Sequence, residues 1–260
     1  MIVLAVAAVF LAALLIEPFC VRLRRDVIKG PASLAGLKIA FVSDLHCQGE
    51  PSLFRLSGAL SRLAKERPDL LILGGDYADS PEFAAKALAL ASAFDAPLGV
   101  FAVRGNHDYY YNLNRVLSGL PIRLLDNEGA FVQYGEGRLL VAGLVDYLRD
   151  SPNGEAALKN SGGADMTILV SHNPRAVEQA VSGKGADFAL CGHTHGGQAT
   201  VFGLYSPLAD RPLPFFNPQW QAVCGVPTLY SNGLGTTFLP IRFMAPPRIH
   251  IIEIAGKENG

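Results

Sequence analysis

Five of the six histidines sit in short polar segments that hold other ligand-type side chains. These are Asp44-Leu-His46, Gly105-Asn-His-Asp108, Ser171-His-Asn173 and Gly192-His-Thr-His195. A further segment, Gly74-Gly-Asp76-Tyr-Ala-Asp79, adds two carboxylates. Aspartate and asparagine oxygens mixed with imidazole suit borderline divalent metals such as manganese, iron or zinc. Glycines beside them let the backbone turn sharply and approach an ion closely. Each segment alone reads as an ordinary polar turn. In this order and number they point to one metal-binding rim.

The elements that must carry them are legible from hydrophobic spacing. Apolar runs at 38–43, 69–73, 99–103, 166–170 and 188–190 read as buried strands, and each ends at one of the polar segments. Between them, Leu53, Leu56, Leu60 and Leu63 recur at helical spacing within 51–66, and further helices are predicted over about 81–94 and 174–181. Alternating buried strands and helices imply an α/β sheet, in which ligand sites form beyond the carboxyl ends of the strands. The second half adds a hairpin about Gly135-Glu136-Gly137 and a closing strand over 248–254.

The ordered set Asp44-x-His46, Gly75-Asp76-x-x-Asp79, Gly105-Asn106-His107-Asp108, His172 and Gly192-His193-x-His195 resembles the calcineurin-like metallophosphoesterases. The resemblance covers about 37–254. The flanks Ser43-Asp-Leu-His46, Ser171-His-Asn-Pro174 and Gly192 through Gln198, with Asn232 to Gly235, Arg242 and Pro246-Pro247, are similar to a membrane-associated subfamily that includes UDP-2,3-diacylglucosamine pyrophosphatases. It implies an α/β fold, a two-sheet αββα sandwich, preceded by an N-terminal apolar helix. Residues 1–21 would be a membrane anchor or signal-like helix and 22–256 the catalytic domain.

Carried over residue by residue, the resemblance implies two divalent metal ions, manganese first and iron or zinc as alternatives. Asp44, His46 and His195 would hold one, Asn106, His172 and His193 the other, with Asp76 between them. His107 would serve the leaving oxygen, and Asp108 would orient its imidazole. Asp79 would hold a ligand in place or, alternatively, cap the helix after it. His250 matches no motif and reads as structural. The activity implied is hydrolysis of UDP-2,3-diacylglucosamine to lipid X and UMP in lipid A biosynthesis. A broad phosphodiesterase or phosphomonoesterase, possibly exported, is the second reading. A catalytically inactive scaffold of the same fold is the competing class, although no ligand position is missing.

Composition sets the boundaries. Lys plus Arg is 22 against 23 for Asp plus Glu, so no basic excess supports a nucleic-acid partner. Half the residues are hydrophobic, which excludes a disordered chain. Part of that excess is a leader: residues 1–16 carry no charge. It reads as an uncleaved anchor, with a cleaved signal peptide and a buried helix as competitors. Arg22, Arg24, Arg25 and Lys29 follow it, which by the positive-inside rule places the domain on the cytoplasmic side of the inner membrane; the alternative is a solvated strand leading into the domain. Cys20, Cys47, Cys191 and Cys224 show no metal or redox spacing and read as plain thiols. The expected partners are the membrane and a lipid-linked phosphorylated small molecule. For that substrate, Tyr109 to Tyr111, Leu213 to Phe216 and Trp220 would line an acyl groove or simply pack the core. Arg149, Arg211 and Arg242 are candidates for a diphosphate clamp.

Overall fold

The apolar runs become strands because residues buried on both faces gain most from a sheet covered on each side. In the computed structural model, which describes residues 14–180, 185–200, 206 and 219–256, they form two six-stranded mixed sheets. The strands are β1 (Arg22–Gly30), β2 (Lys38–Val42), β3 (Leu70–Leu73), β4 (Val100–Ala102), β5 (Ile122–Leu124), β6 (Glu128–Tyr134), β7 (Gly137–Gly143), β8 (Met166–Ser171), β9 (Phe188–Cys191), β10 (Trp220–Val223), β11 (Val226–Tyr230) and β12 (Arg248–Gly256). One sheet has the order β1-β12-β2-β3-β4-β5, the other β10-β11-β9-β8-β7-β6. The strands that lead into the site, β2-β3-β4 and β8-β9, run parallel within their sheets.

Between the sheets, Phe41, Ile72, Phe101 and Ile252 meet Val141, Ile168, Val170 and Phe188. On the far side of the first sheet, α1 (Glu50–Ala64) buries Leu53, Leu56, Leu60 and Leu63, and α2 (Pro81–Ser92) buries Ala84, Ala87, Leu88 and Ala91. The short α3 (Leu113–Leu117) joins them. Over the second sheet lie α4 (Gly154–Ala157) and α5 (Pro174–Ala180), through Ala157, Ala176 and Val177. Two mixed sheets between helices match the expected α/β sandwich.

Two expectations resolve to their alternatives, and others lie outside the described residues. Arg22, Arg24, Arg25 and Lys29 belong to β1, a strand that pairs in parallel with β12, and Arg25 bonds Glu66. They are part of the domain's sheet, which removes them as evidence of membrane orientation. The leader mostly falls outside the described residues, which begin at Leu14; no helix among the described residues is long and apolar enough to cross a membrane. Trp220 packs edge-on against Phe188, at 6.0 Å between centroids, and so serves the core. The segment 213–216 and Arg211 lie outside the described residues.

The turns after β3 and β4 approach each other so closely that neither tolerates a side chain. Gly75 has φ of 88°, and a Cβ there would come within 2.5 Å of the Gly105 nitrogen. A Cβ on Gly105 would overlap the Asp76 carboxylate. We expect Gly105→Ala to lower unfolding stability by about 1–3 kcal/mol, the usual range for overpacking. Gly162→Ala, where nothing lies within 4 Å, should change it by less than about 0.5 kcal/mol. Urea unfolding midpoints check both.

Candidate metal centre

Three of the five ligand-type segments, those after β2, β3 and β9, follow their strands through sharp left-handed turns. Asp44, His46, Asp76, His193 and His195 hold φ of 51°, 39°, 56°, 67° and 51°. Non-glycine residues rarely adopt this region, and a cluster of them marks stored backbone strain. Hydrogen bonds between segments hold the turns: the Asp44 nitrogen donates to the Gly75 carbonyl at 2.9 Å and the His46 nitrogen to the Asp76 carbonyl at 3.0 Å.

The side chains so presented converge. Ligand atoms of Asp44, His46 and His195 lie within 4.8 Å of one another, as do those of Asp44, Asp76 and His172. His193 Nδ1 is 3.1 Å from Asn106 Oδ1 and 3.3 Å from His172 Nε2. Asp76 Oδ2 sits where the two groups meet, 3.4 Å from His46 Nε2 and 3.2 Å from His172 Nε2. The tautomer of His172 follows from its surroundings. Its Nδ1 lies 2.8 Å from the Gly74 carbonyl, which can only accept, so Nδ1 carries a proton and Nε2 is the atom turned toward Asp76.

These residues fit divalent metals. Asp44 Oδ2, His46 Nε2 and His195 Nδ1 are buried with no hydrogen-bond partner, an arrangement that is costly unless a cation satisfies some of them. Burial pushes the Asp76 carboxyl up, and the imidazoles of His172, His46 and His107 outweigh it and hold it far below the usual carboxylate range. Burial pulls His195 well down, with His46 and Arg242 adding to it, which keeps that imidazole neutral and able to donate a lone pair. The cleft above has a volume of about 270 Å³, with His107 and Thr194 on its wall and Leu148 and Phe238 at its mouth.

Two residues differ from the sequence reading. Asp108 does not orient His107. It is fully buried beneath the turn, where Oδ2 accepts from the nitrogens of Asp76 and Gly105, both at 2.8 Å. Its Oδ1 accepts from the Tyr77 nitrogen at 3.0 Å and the Tyr111 hydroxyl at 2.6 Å. The carboxylate facing His107 Nδ1 is Asp79, at 3.5 Å, which also lies 3.5 Å from His46 Nδ1. Capping of α2 falls instead to Ser80, whose hydroxyl accepts from the Phe83 nitrogen.

Arg242 is no diphosphate clamp. It is fully buried, and its guanidinium donates to the carbonyls of Ala245 at 2.7 Å, Asn232 at 2.7 Å, Gly235 at 2.6 Å and His195 at 3.2 Å. Its work is to hold the turn behind His195. Of the tyrosines, Tyr109 reaches toward Asp150, Tyr111 bonds Asp108, and only Tyr110 stands edge-on to His107, at 5.7 Å. Arg149 stacks on Tyr110 at 4.6 Å. His250 is buried against Ser231, as a structural residue would be. Cys47 and Cys191 are buried and their thiols pushed up, chiefly by burial, Cys47 to about 11. Sequence reasoning missed Leu148 and Phe238, which come from irregular loops with no periodicity to mark them, and named Gln198 only as the end of a motif, with no role.

The calcineurin-like phosphoesterase family model matches residues 37–197. An uncharacterized metallophosphoesterase of Aquifex aeolicus is 31% identical, over 96% of this chain and 100% of that protein. A Danio rerio protein named a transmembrane protein with metallophosphoesterase domain is 30% identical, over 99% of this chain and 62% of its own length. Among solved structures, a dimetal phosphatase from Danio rerio aligns with 77% of this chain and 88% of its own, at 12% identity and a TM-score of 0.48. The chain belongs to the calcineurin-like phosphoesterase family and is a metal-dependent phosphoesterase.

Proposed function

We propose that this chain hydrolyses a phosphate ester at a two-metal centre, with Asp44, His46 and His195 holding one ion and Asn106, His172 and His193 the other. Asp76 would serve both, and its position within 3.4 Å of both His46 and His172 is the observation that carries the reading. Such a pair, when bound, would lower the pKa of an attacking water and neutralise charge on the phosphoryl oxygens. Manganese is the expected metal, with iron or zinc as alternatives.

The protein supplies the proton. The Asp79 carboxylate faces His107 Nδ1 and raises the imidazole's pKa, more than half-burial lowers it. With Nδ1 directed at Asp79, Nε2–H remains to protonate the leaving oxygen. The His107 nitrogen donates to Asp76 Oδ1 at 2.8 Å, so the acid and the bridging carboxylate move as one unit. Asp108, beneath them, positions that unit through the nitrogens of Asp76 and Gly105.

Within this class the specific substrate we assign is UDP-2,3-diacylglucosamine, giving lipid X and UMP. Its support is the uncharged leader, which would hold enzyme and lipid in one phase, and the membrane-spanning nature stated in the name of the Danio rerio relative. One observation favours a second reading, a broad phosphodiesterase: among the described residues, no lysine or arginine lines the cleft to meet a second phosphate.

Three outcomes follow. Manganese-loaded protein in detergent should release UMP from UDP-2,3-diacylglucosamine, identified by mass. Cleavage of bis(p-nitrophenyl) phosphate without UMP release would transfer the assignment to the broad diesterase, and inactivity on both would leave a scaffold. His107→Ala should lower kcat by about 10²–10⁴ with metal content unchanged, the range for a lost general acid. Asp108→Ala should instead lower unfolding stability by about 3 kcal/mol or more, because it strands buried N–H groups, and should cut metal content with activity. Metal analysis beside kinetics separates the two variants.

A further inference from the structure

The mouth of the cleft carries a face that the folded domain does not use. Phe238 is 91% exposed, and Leu148, Leu239, Ile16 and Phe19 each leave about half or more of their surface open. Phe238 and Met244 hold φ of 60° and 54°. The left-handed region costs a bulky residue about 1–2 kcal/mol, so an aromatic ring is held in water on strained backbone. Single exposed apolar residues are ordinary, but a set of them joined around a catalytic cleft marks a binding surface.

Backbone contacts join the set. The Arg242 nitrogen donates to the Leu14 carbonyl at 3.1 Å, and the Glu17 carboxylate accepts from the nitrogens of Met244 at 2.9 Å and Ala245 at 2.7 Å. The chain leaving its leader is therefore fastened beside the cleft. Gln198 fastens the other part: its amide oxygen accepts from the Thr237 nitrogen at 2.8 Å, and its amide nitrogen donates to the Leu239 carbonyl at 3.1 Å.

We propose that this face docks on a lipid bilayer, so that the cleft opens into the headgroup layer and receives the phosphate ester of a lipid. The second half of that statement rests on the phosphoesterase reading above; the docking does not. The chain itself indicates the occupant, because the sequence that precedes Leu14, residues 1–13, is all apolar. Beside Phe19 the Arg55 guanidinium lies 5.9 Å from the ring centroid, a cation next to an aromatic at the edge of an apolar patch. That pairing suits the boundary between acyl chains and phosphates.

The test places an environment-sensitive dye on the full chain through Leu239→Cys, in a Cys20→Ser, Cys224→Ser background. Cys47 and Cys191 are buried and stay unlabelled. The control is Glu136→Cys, on the turn between β6 and β7. With mixed phosphatidylcholine and phosphatidylglycerol vesicles, the dye at 239 should shift to the blue and the dye at 136 should not. No shift at 239, or equal shifts at both, overturns the proposal. A concentration-dependent shift at 239 without vesicles makes the occupant a second copy of the chain and also overturns it. Manganese-dependent hydrolysis of soluble bis(p-nitrophenyl) phosphate is measured on the same samples. Its absence beside an intact shift would strike the phosphoesterase reading and support the docking face alone.

Discussion

Burying the Asp44 and Asp76 carboxylates is the constraint on which the rest of the molecule depends. Both lie almost wholly out of water at the ends of β2 and β3. An unpaired buried carboxylate costs several kcal/mol even after relaxation, so the surroundings must supply donors or cations. Backbone supplies part: the His193 nitrogen donates to Asp44 at 2.9 Å and the His107 nitrogen to Asp76 at 2.8 Å. Imidazoles supply part of the remainder, and a bound cation would complete it. Since His193 comes from the second sheet and Asp44 from the first, this one requirement ties the two sheets together at their shared edge.

The same requirement explains the strained turns. A left-handed residue survives where its neighbours over-determine it, and here they do. Asp76, at φ of 56°, is held by its own nitrogen on Asp108 and by its carboxylate on the His107 nitrogen. Asp108 is itself a buried carboxylate, pushed up to about 6 chiefly by burial and then by Asp76. Its three N–H donors and one hydroxyl donor are what make that position tolerable. One buried anion thus fixes the loop that presents another.

How far the sequence discloses all this depends on whether the signal is local. The strands and ligand segments were legible, because apolar runs, residue type and order are local properties. The role of Asp108 was not. Its place next to His107 suggested a pair, but the two lie in the same tight turn, His107–Tyr110, where adjacent side chains diverge. The partner facing His107 comes from beyond β3. Arg242 misled in a related way: a guanidinium reads as a phosphate ligand, and only the folded loops reveal the five backbone carbonyls around it. β1 was obscured because its alternation of basic and apolar residues resembles a charged flank, and its partner β12 lies at the far end of the chain.

Gln198 shows how the metal loops and the cleft mouth are mechanically joined. It ends the turn that carries His195, and its side chain reaches across to bond the backbone of Thr237 and Leu239. Arg242 grips the same turn from below through the His195 carbonyl, and its own nitrogen bonds the end of the leader at Leu14. A displacement of the leader would therefore be felt at the His195 turn and at the lip beside Phe238. The ester chemistry resides in the strand ends, where geometry is rigid. The lip of the cleft belongs instead to loops, and Gln198 and Arg242 hold them.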